Sequence, residues 1–293
     1  MADSQIKQSC KKLVEFRKNC LVGLIMPNDS MQPNHLLKVQ ECLESKSFDN
    51  LDVVLHSGGG DINSAYQIAQ LLHLRAKNVS VIVPIFAKSA ATLLTISASE
   101  IIMGEIAELG PLDTQVLERQ KGGRKYSSAL NPFKSLEQLQ SFSLETLDYA
   151  VKLFINRSSL TVDEAIARAI EFAASTTSPL YSKLDIEKLG EYSRALSVGK
   201  EYGDRLLRRY TEIGKNDDER SNLLDKLVRG YPSHDYIIDL VEMKDLGFNV
   251  RQPNEVENPI IHEIAHLLIK AQSTEIFCLC NQTEVPEDKN TQG

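Results

Sequence analysis

The stretch His56-Ser-Gly-Gly-Gly-Asp61 restricts this chain more than any other. It follows the apolar run Leu51–Leu55 and precedes Ala65, Ile68, Ala69, Leu71 and Leu72 at helical spacing, so it is a strand-to-helix turn. Glycine loses more freedom on folding than any other residue. Three in a row therefore mean that side chains would obstruct something that must come close: a phosphate, a carbonyl oxygen or another piece of backbone. A phosphate is the familiar guest of such turns. Yet SGGGDINSA lacks the Gly-Lys-Ser/Thr ending of a P-loop, and its glycines do not fall at the GxGxxG spacing. Bare amides can also receive the negative oxygen of a tetrahedral intermediate, and that use requires a nucleophile on the adjoining turn.

The order of elements supports such a neighbour. Cys20–Met26, Leu51–Leu55, Val79–Ile85 and Glu100–Met103 read as strands, with helices over residues 35–46, after the glycines, and through ATLLTISAS. Alternation at this spacing indicates an α/β fold with parallel strands and right-handed crossovers. Asp61 stands where a carboxylate favours the start of a helix. Before the strands, Gln5–Lys18 forms an amphipathic helix. Residues 120–134 read as a loop, with a flexible flap at Gly122-Gly123. Helices are expected over Leu136–Ile155, Thr161–Ala174, Glu201–Ile213, Glu219–Arg229 and Pro259–Ala271, with a short strand at Tyr236–Ile238. The tail from Asn281 is polar, with the composition of a disordered segment. The resulting divisions are 1–19, an N-terminal helix; 20–118, the core with the nucleophile; 119–230, a loop and helical insertion; 231–280, a return to the core with the last helix; and 281–293, the tail.

Ser89, in FAKSAATLL, occupies the next strand-to-helix turn among the small residues Ala87, Ala90 and Ala91. Serine is also a favoured helix N-cap. Here the succession SGGGD, helix, strand, AKSAAT, EIIM and ELGPLD resembles the serine dehydrogenase proteinase family, within the Clp-type and signal-peptide-peptidase-A-type serine proteases of crotonase-like fold. The similarity is densest over Leu21–Gln115. It continues through LNPFKSLEQLQSFSLETL and YPSHDYIIDLVEMKDLGF to about Val250. The resemblance implies a ClpP/crotonase-like spiral of ββα units with a helical C-terminal half. It further implies Ser89 as the nucleophile, an oxyanion hole framed by Gly59, Gly60 and Ala90, a peptide or protein substrate, and a homo-oligomer built as a ring or from stacked trimers. No cofactor is implied.

A serine needs a base to attack at neutral pH. In Clp-type enzymes a histidine follows the serine by about two dozen residues, and that position holds Asp113 here. The triad aspartate of the same enzymes corresponds to Asp235, seven residues before Glu242, and it is immediately preceded by His234. The expected base is His234, with Asp113 or Asp235 fixing its tautomer. A lysine is the alternative, as in a Ser-Lys dyad: Lys121, Lys125 and Lys134 follow the serine, whereas Lys88 should point away from its neighbour. His56 is a third candidate base, and as a strand-end residue also a structural one.

Near the end, His262, Glu263 and His266 make a literal HExxH, which in zincins binds zinc. Its third ligand would have to come from Glu284 or Glu287, in a polar tail, and such short motifs recur by chance in helices. No metal is expected. An acyl-CoA hydratase on the same fold, or a protease-like scaffold without activity, are further alternatives to the peptidase. The net charge of −7 argues against nucleic acid as a partner, and the basic residues Arg119–Lys125 read as a solvated loop. No apolar run reaches the length of a membrane span. The N-terminus MADSQIKQSC is too polar for a secretory signal, which leads to a cytoplasmic expectation. Five scattered cysteines, Cys10, Cys20, Cys42, Cys278 and Cys280, read as reduced thiols.

Overall fold

The computed structural model describes residues 2–44, 46–112, 115–120, 123–214 and 216–280. In chain order the elements begin with helix α1 (Ala2–Arg17), strand β1 (Cys20–Met26), α2 (Pro33–Leu43), β2 (Phe48–Ser57), α3 (Ile62–Arg75) and β3 (Ala76–Val83). There follow β4 (Phe86–Ala87), α4 (Ala90–Thr95), β5 (Glu100–Met103), β6 (Glu108–Leu109), β7 (Gln115–Gln120) and β8 (Gly123–Ser128). The C-terminal half holds α5 (Leu130–Arg157), α6 (Val162–Tyr181), α7 (Ile186–Tyr210), α8 (Asp217–Arg229), α9 (Leu240–Asp245), β9 (Val250–Arg251), α10 (Glu257–Leu268) and β10 (Glu275–Leu279).

One curled sheet runs β10-β1-β2-β3-β5-β9, and β4 branches from β2 to pair with β6. Every pairing in it is parallel except β1 with β10. The fold is thus α/β with a parallel sheet and a helical C-terminal half, as the order of elements implied.

Alternation along each strand sorts the side chains into two cores. Val22, Leu24, Leu51, Val53, Leu55, Val79, Val81 and Ile101 face α2, α3 and α4, and α7 and α8 close that layer with Leu196, Leu206, Leu207, Leu224 and Leu227. Leu21, Ile25, Val54, Ile82 and Ile102 face the other way, where Ile6, Leu13, Ile261 and Ile264 of α1 and α10 cover them. Both faces are dry, which explains why these strands read as nearly continuous apolar runs.

Several expectations are corrected. The described part of the segment 120–134 is not a loop: β7 and β8 pair antiparallel from Gln115↔Ser128 to Gln120↔Gly123, so Arg119, Arg124 and Lys125 belong to paired strands, while Lys121 and Gly122 lie outside the described residues, and α5 begins at Leu130. The two residues separating these strands include a glycine, a hairpin spacing that the polar composition concealed. Of the expected strand Tyr236–Ile238, Ile238 alone pairs, in a bridge to Leu109. α7 begins fifteen residues earlier than expected, at Ile186. Gly203 sits within it where a Cβ would come 2.5 Å from Leu224, so the glycine serves helix approach, not termination.

The thiol expectation also fails. Cys20 and Cys280 form a disulfide across 260 residues of sequence. The register Leu21↔Leu279 in the β1–β10 pair places them opposite one another, a relationship no spacing rule reveals. Cys10, Cys42 and Cys278 are free thiols.

Candidate active site

The glycine turn and the Ser89 turn meet because β2 and β4 are neighbours in the sheet. Ser57 pairs with Ala87, and Lys88 N–H donates to the Ser57 carbonyl at 3.0 Å. Beyond that bond the two chains remain in contact. A Cβ built on Gly59 would lie 2.8 Å from the Lys88 carbonyl oxygen, 2.8 Å from Ser89 Cβ and 3.1 Å from Ala90 N. The obstruction that Gly59 avoids is therefore the Ser89 turn, whereas a Cβ on Gly60 would meet Met31 and one on Gly58 nothing within 4 Å.

Two of those glycines also need their backbone freedom, since φ is 105° at Gly59 and 138° at Gly60. Gly60 rests on a second strut, the segment between β1 and α2. Met31 N–H donates to the Gly59 carbonyl at 2.7 Å, and Asp61 N–H donates to the Met31 carbonyl at 2.8 Å. In this parallel bridge the Gly59 carbonyl and the Asp61 N–H face Met31, so the N–H of Gly60 faces the opposite side. Gly59 N–H is already taken by Ser57 Oγ at 3.1 Å. Asp61 caps α3, accepting from Ser64 N–H at 2.8 Å and Ser64 Oγ at 2.6 Å.

Ser89 precedes α4 with φ 54° and ψ −119°, a left-handed conformation that a residue with a Cβ adopts only under strain. This sharp strand-to-helix turn resembles the way hydrolases present a serine at the top of a sheet. The residue is 2% exposed. Ala90 opens α4, where first-turn N–H groups have no partner inside the helix. Among the described residues, neither Gly60 N–H nor Ala90 N–H donates to a protein acceptor. Thr92 stitches the turn to the next segment, donating to the carbonyls of Ala87 and Gly110, both at 2.9 Å.

That next segment brings in the third component. β6 pairs with β4 through Ala87↔Leu109, and Leu109 exchanges both backbone hydrogen bonds with Ile238, at 2.9 and 3.0 Å. The Leu109–Ile238 bridge is antiparallel. Residues preceding Ile238, His234 and Asp235 among them, therefore emerge at the same sheet end as residues following Ala87, where Ser89 stands. His234 is half-buried in a turn and Asp235 is exposed. Asp113 and Lys121 lie outside the described residues, as do Glu284 and Glu287, and Lys125 falls in a strand whose side chains are not described.

The remaining candidates are held elsewhere. Lys88 pairs with Glu108 at 2.6 Å, across the neighbouring strand. Lys134 pairs with Glu137 at 3.1 Å along α5. His56 is buried on the α1/α10 side of the sheet, its ring 4.1 Å from that of Phe86 and its Nδ1 without a partner. Burial holds this imidazole neutral, with its pKa down at about 4. His262 and His266 project to solvent one helical turn apart, but Glu263 is paired with Lys12 at 2.6 Å. Among the described residues no three His, Cys, Asp or Glu side chains converge as metal ligands.

A buried ion cluster at the α1/α10 face escaped sequence reasoning. Arg17 donates to Asp52 at 2.7 and 3.0 Å and to Glu257 at 2.6 Å; Arg251 donates to Glu257 at 2.6 and 3.0 Å and to Glu100 at 2.8 Å. It joins α1, β2, β5, β9 and α10 and has no part near Ser89.

Residues 37–123 match the family of ClpP-like SDH-type serine proteinases, a span that includes the glycine turn and Ser89 and ends well before His234. Two uncharacterized proteins of Methanocaldococcus jannaschii are similar. MJ0137 is 42% identical over 66 residues, which cover 22% of this chain and 23% of that protein. MJ1495 is 28% identical over 200 residues, which cover 68% of this chain and 51% of that protein. The matches thus span about a quarter and about half the length of these relatives. Among solved structures, a mutant of the 1510-N membrane-bound stomatin-specific protease aligns with 14% identity and a TM-score of 0.29, over 47% of this chain and 63% of its own. No helix among the described residues is long and apolar enough to cross a membrane.

Proposed function

We propose that the chain is a serine peptidase that cleaves peptide bonds through an acyl-enzyme on Ser89. The observation that carries this reading is the contact between the turn at Gly59 and Gly60 and the strained turn at Ser89. Serine peptidase chemistry at family level agrees with the match over residues 37–123. In the proposed mechanism Ser89 Oγ attacks the carbonyl carbon as its proton passes to a base. The carbonyl oxygen, now negative, is received by the N–H groups of Gly60 and Ala90, while Gly59 frames the hole by leaving room. The base then returns the proton to the leaving amine, and water, deprotonated by the same base, hydrolyses the ester.

For the base we propose His234, which shares its sheet end with Ser89 through the Leu109–Ile238 bridge, with Asp113 or Asp235 orienting it. The zinc-peptidase alternative would draw its third ligand from Glu284 or Glu287, outside the described residues, and would need Glu263 released from its pair with Lys12.

Self-association is part of the proposal. Leu144, Tyr149, Val162, Ile170 and Ile186 leave apolar surface open on α5, α6 and α7. The proposed setting is the cytoplasm, where a disulfide such as Cys20–Cys280 would be transient and responsive.

The test is covalent labelling with a fluorophosphonate, followed by mapping of the modified residue. Labelling at Ser89 that disappears in Ser89→Ala supports the peptidase; no labelling of the native chain refutes it. Peptide hydrolysis that survives unchanged in His234→Ala removes the histidine and transfers the role to a lysine.

A further inference from the structure

We propose that the Cys20–Cys280 disulfide is a reducible latch, and that opening it loosens the clamp which Met31 places on the glycine turn beside Ser89. Its effect on catalysis rests on the peptidase reading; its effect on structure does not.

Four of the five cysteines gather at one end of the β1–β10 pair. Cys20 and Cys280 are joined there, and Cys278, two residues from Cys280, shares its face of the strand. Cys42 closes α2, which packs on β10, near enough to influence the Cys278 thiol. Burial, with a smaller contribution from Cys42, pushes that thiol up to about 11. Cys278 is thus protonated at neutral pH and does not attack the adjacent disulfide.

Access to the bond is one-sided, because Cys20 is 5% exposed whereas Cys280 is exposed. A thiolate of an external dithiol attacks Cys280 Sγ, the S–S bond breaks, and the Cys20 sulfur leaves as a thiolate that takes up a proton. The second thiol of the reagent, losing its proton, attacks the mixed disulfide and expels the Cys280 thiolate. The reagent departs as a cyclic disulfide; two electrons have passed to the cystine.

The disulfide anchors the free end of an edge strand, the kind of element that opens first. Besides its pairing with β1, β10 contributes Phe277, whose ring fills the space over Gly23. Its other end reaches the catalytic side. Thr274 Oγ1, one residue before the strand, donates to Asp29 Oδ2 at 2.9 Å, and Asp29 also pairs with His35 Nε2 at 3.3 Å. Two residues on, Met31 makes its two hydrogen bonds to Gly59 and Asp61, and a Cβ at Gly60 would lie 2.3 Å from Met31 N. A continuous path runs from Cys280 along β10 through Thr274 and Asp29 to Met31 and the glycines. With β10 released, the 29–31 segment loses one of its supports.

The experiment uses the full chain, purified without reductant and equilibrated with glutathione disulfide. Non-reducing peptide mapping is expected to find Cys20 linked to Cys280. Amide exchange is then followed with and without dithiothreitol. Reduction is expected to speed exchange across residues 275–279 and at the Met31 and Asp61 amides by about tenfold or more. The Cys280→Ser variant should match the reduced chain and ignore dithiothreitol, while Cys42→Ser should respond as the native chain does. Absence of the linked peptide, unchanged exchange at Met31 and Asp61, or a Cys280→Ser chain that still responds would overturn the latch. Fluorophosphonate labelling of Ser89 in the same samples is expected to slow on reduction. If Ser89 is labelled in neither state, the peptidase reading fails, and the exchange result still decides the latch.

Discussion

Ser89 Cβ lies 2.8 Å from the place where Gly59 would carry a side chain, so the two turns touch across one absent methyl group. Gly59→Ala must displace either the serine or its own backbone, whose φ of 105° disfavours any side chain. The expected outcome is a loss of Ser89 labelling of about a hundredfold, the scale of a lost oxyanion donor, with a stability cost of about 1–3 kcal/mol. Labelling kinetics and denaturant melts measure the two effects separately.

The strain at Ser89 should be visible as stability. Ser89→Gly relieves the left-handed conformation and is expected to raise stability by about 1 kcal/mol, whereas Ser89→Ala keeps the Cβ and gains nothing. Both variants lose labelling. Equal stabilities for the two would contradict a strained serine.

At the other face, acid should open the ion cluster through Glu257. Burial alone would raise the pKa of this carboxyl, but the bonds from Arg251, the Asn254 N–H and Arg17 outweigh it and bring it down to about 2. A carboxylate lowered in the folded state stabilises above its unfolded pKa, and that contribution disappears as pH falls from about 4.5 towards 2. Burial raises the pKa of Asp52, which therefore does not share in the loss. Glu257→Gln at pH 7 should cost about 1–3 kcal/mol, because it leaves the half-buried guanidinium groups of Arg17 and Arg251 short of a partner. Urea melts of both chains between pH 2.5 and 7 should converge at the acid end.

His56 gives a second pH signature in a different window. Its imidazole takes a proton at about 4 when folded but near 6.5 when unfolded, so stability falls as pH drops through that interval, by about 1.4 kcal/mol per pH unit. His56→Phe keeps a ring against Phe86 and removes the partnerless Nδ1. It should make the profile between pH 6.5 and 4 shallower by about half, because burial holds His73 down at about 4 as well and its share persists, and it should leave Ser89 labelling at neutral pH intact. A labelling loss comparable to that of Ser89→Ala would instead make His56 part of the catalytic machinery.

The meeting of the glycine turn with the Ser89 turn was legible because close backbone approach leaves a mark in composition: three glycines in one turn, and small residues around a serine in the next. His234 was offered by the sequence through its place before Asp235. Its shared sheet end with Ser89 was not legible, because it follows from a bridge of two residues, Leu109 and Ile238, too short to leave any periodic pattern. β10 is five residues long, and its partner lies at the far end of the sequence. The disulfide inherits that invisibility. The first fifteen residues of α7 escaped because Gly190 and Gly199, poor helix formers, stand among them, whereas the part from Glu201 was legible. Nothing in the sequence joins Arg17 to Asp52, since burial of an ion cluster is a property of packing alone.

The pairing of Leu109 with Ile238 consists of main-chain hydrogen bonds, and main chain is indifferent to which side chains it carries. Whatever residue stands four places before Ile238 is delivered to the same address. On the peptidase reading, one proton acceptor can thus replace another there, carboxylate or amine for imidazole, while the floor of the site stays as it is.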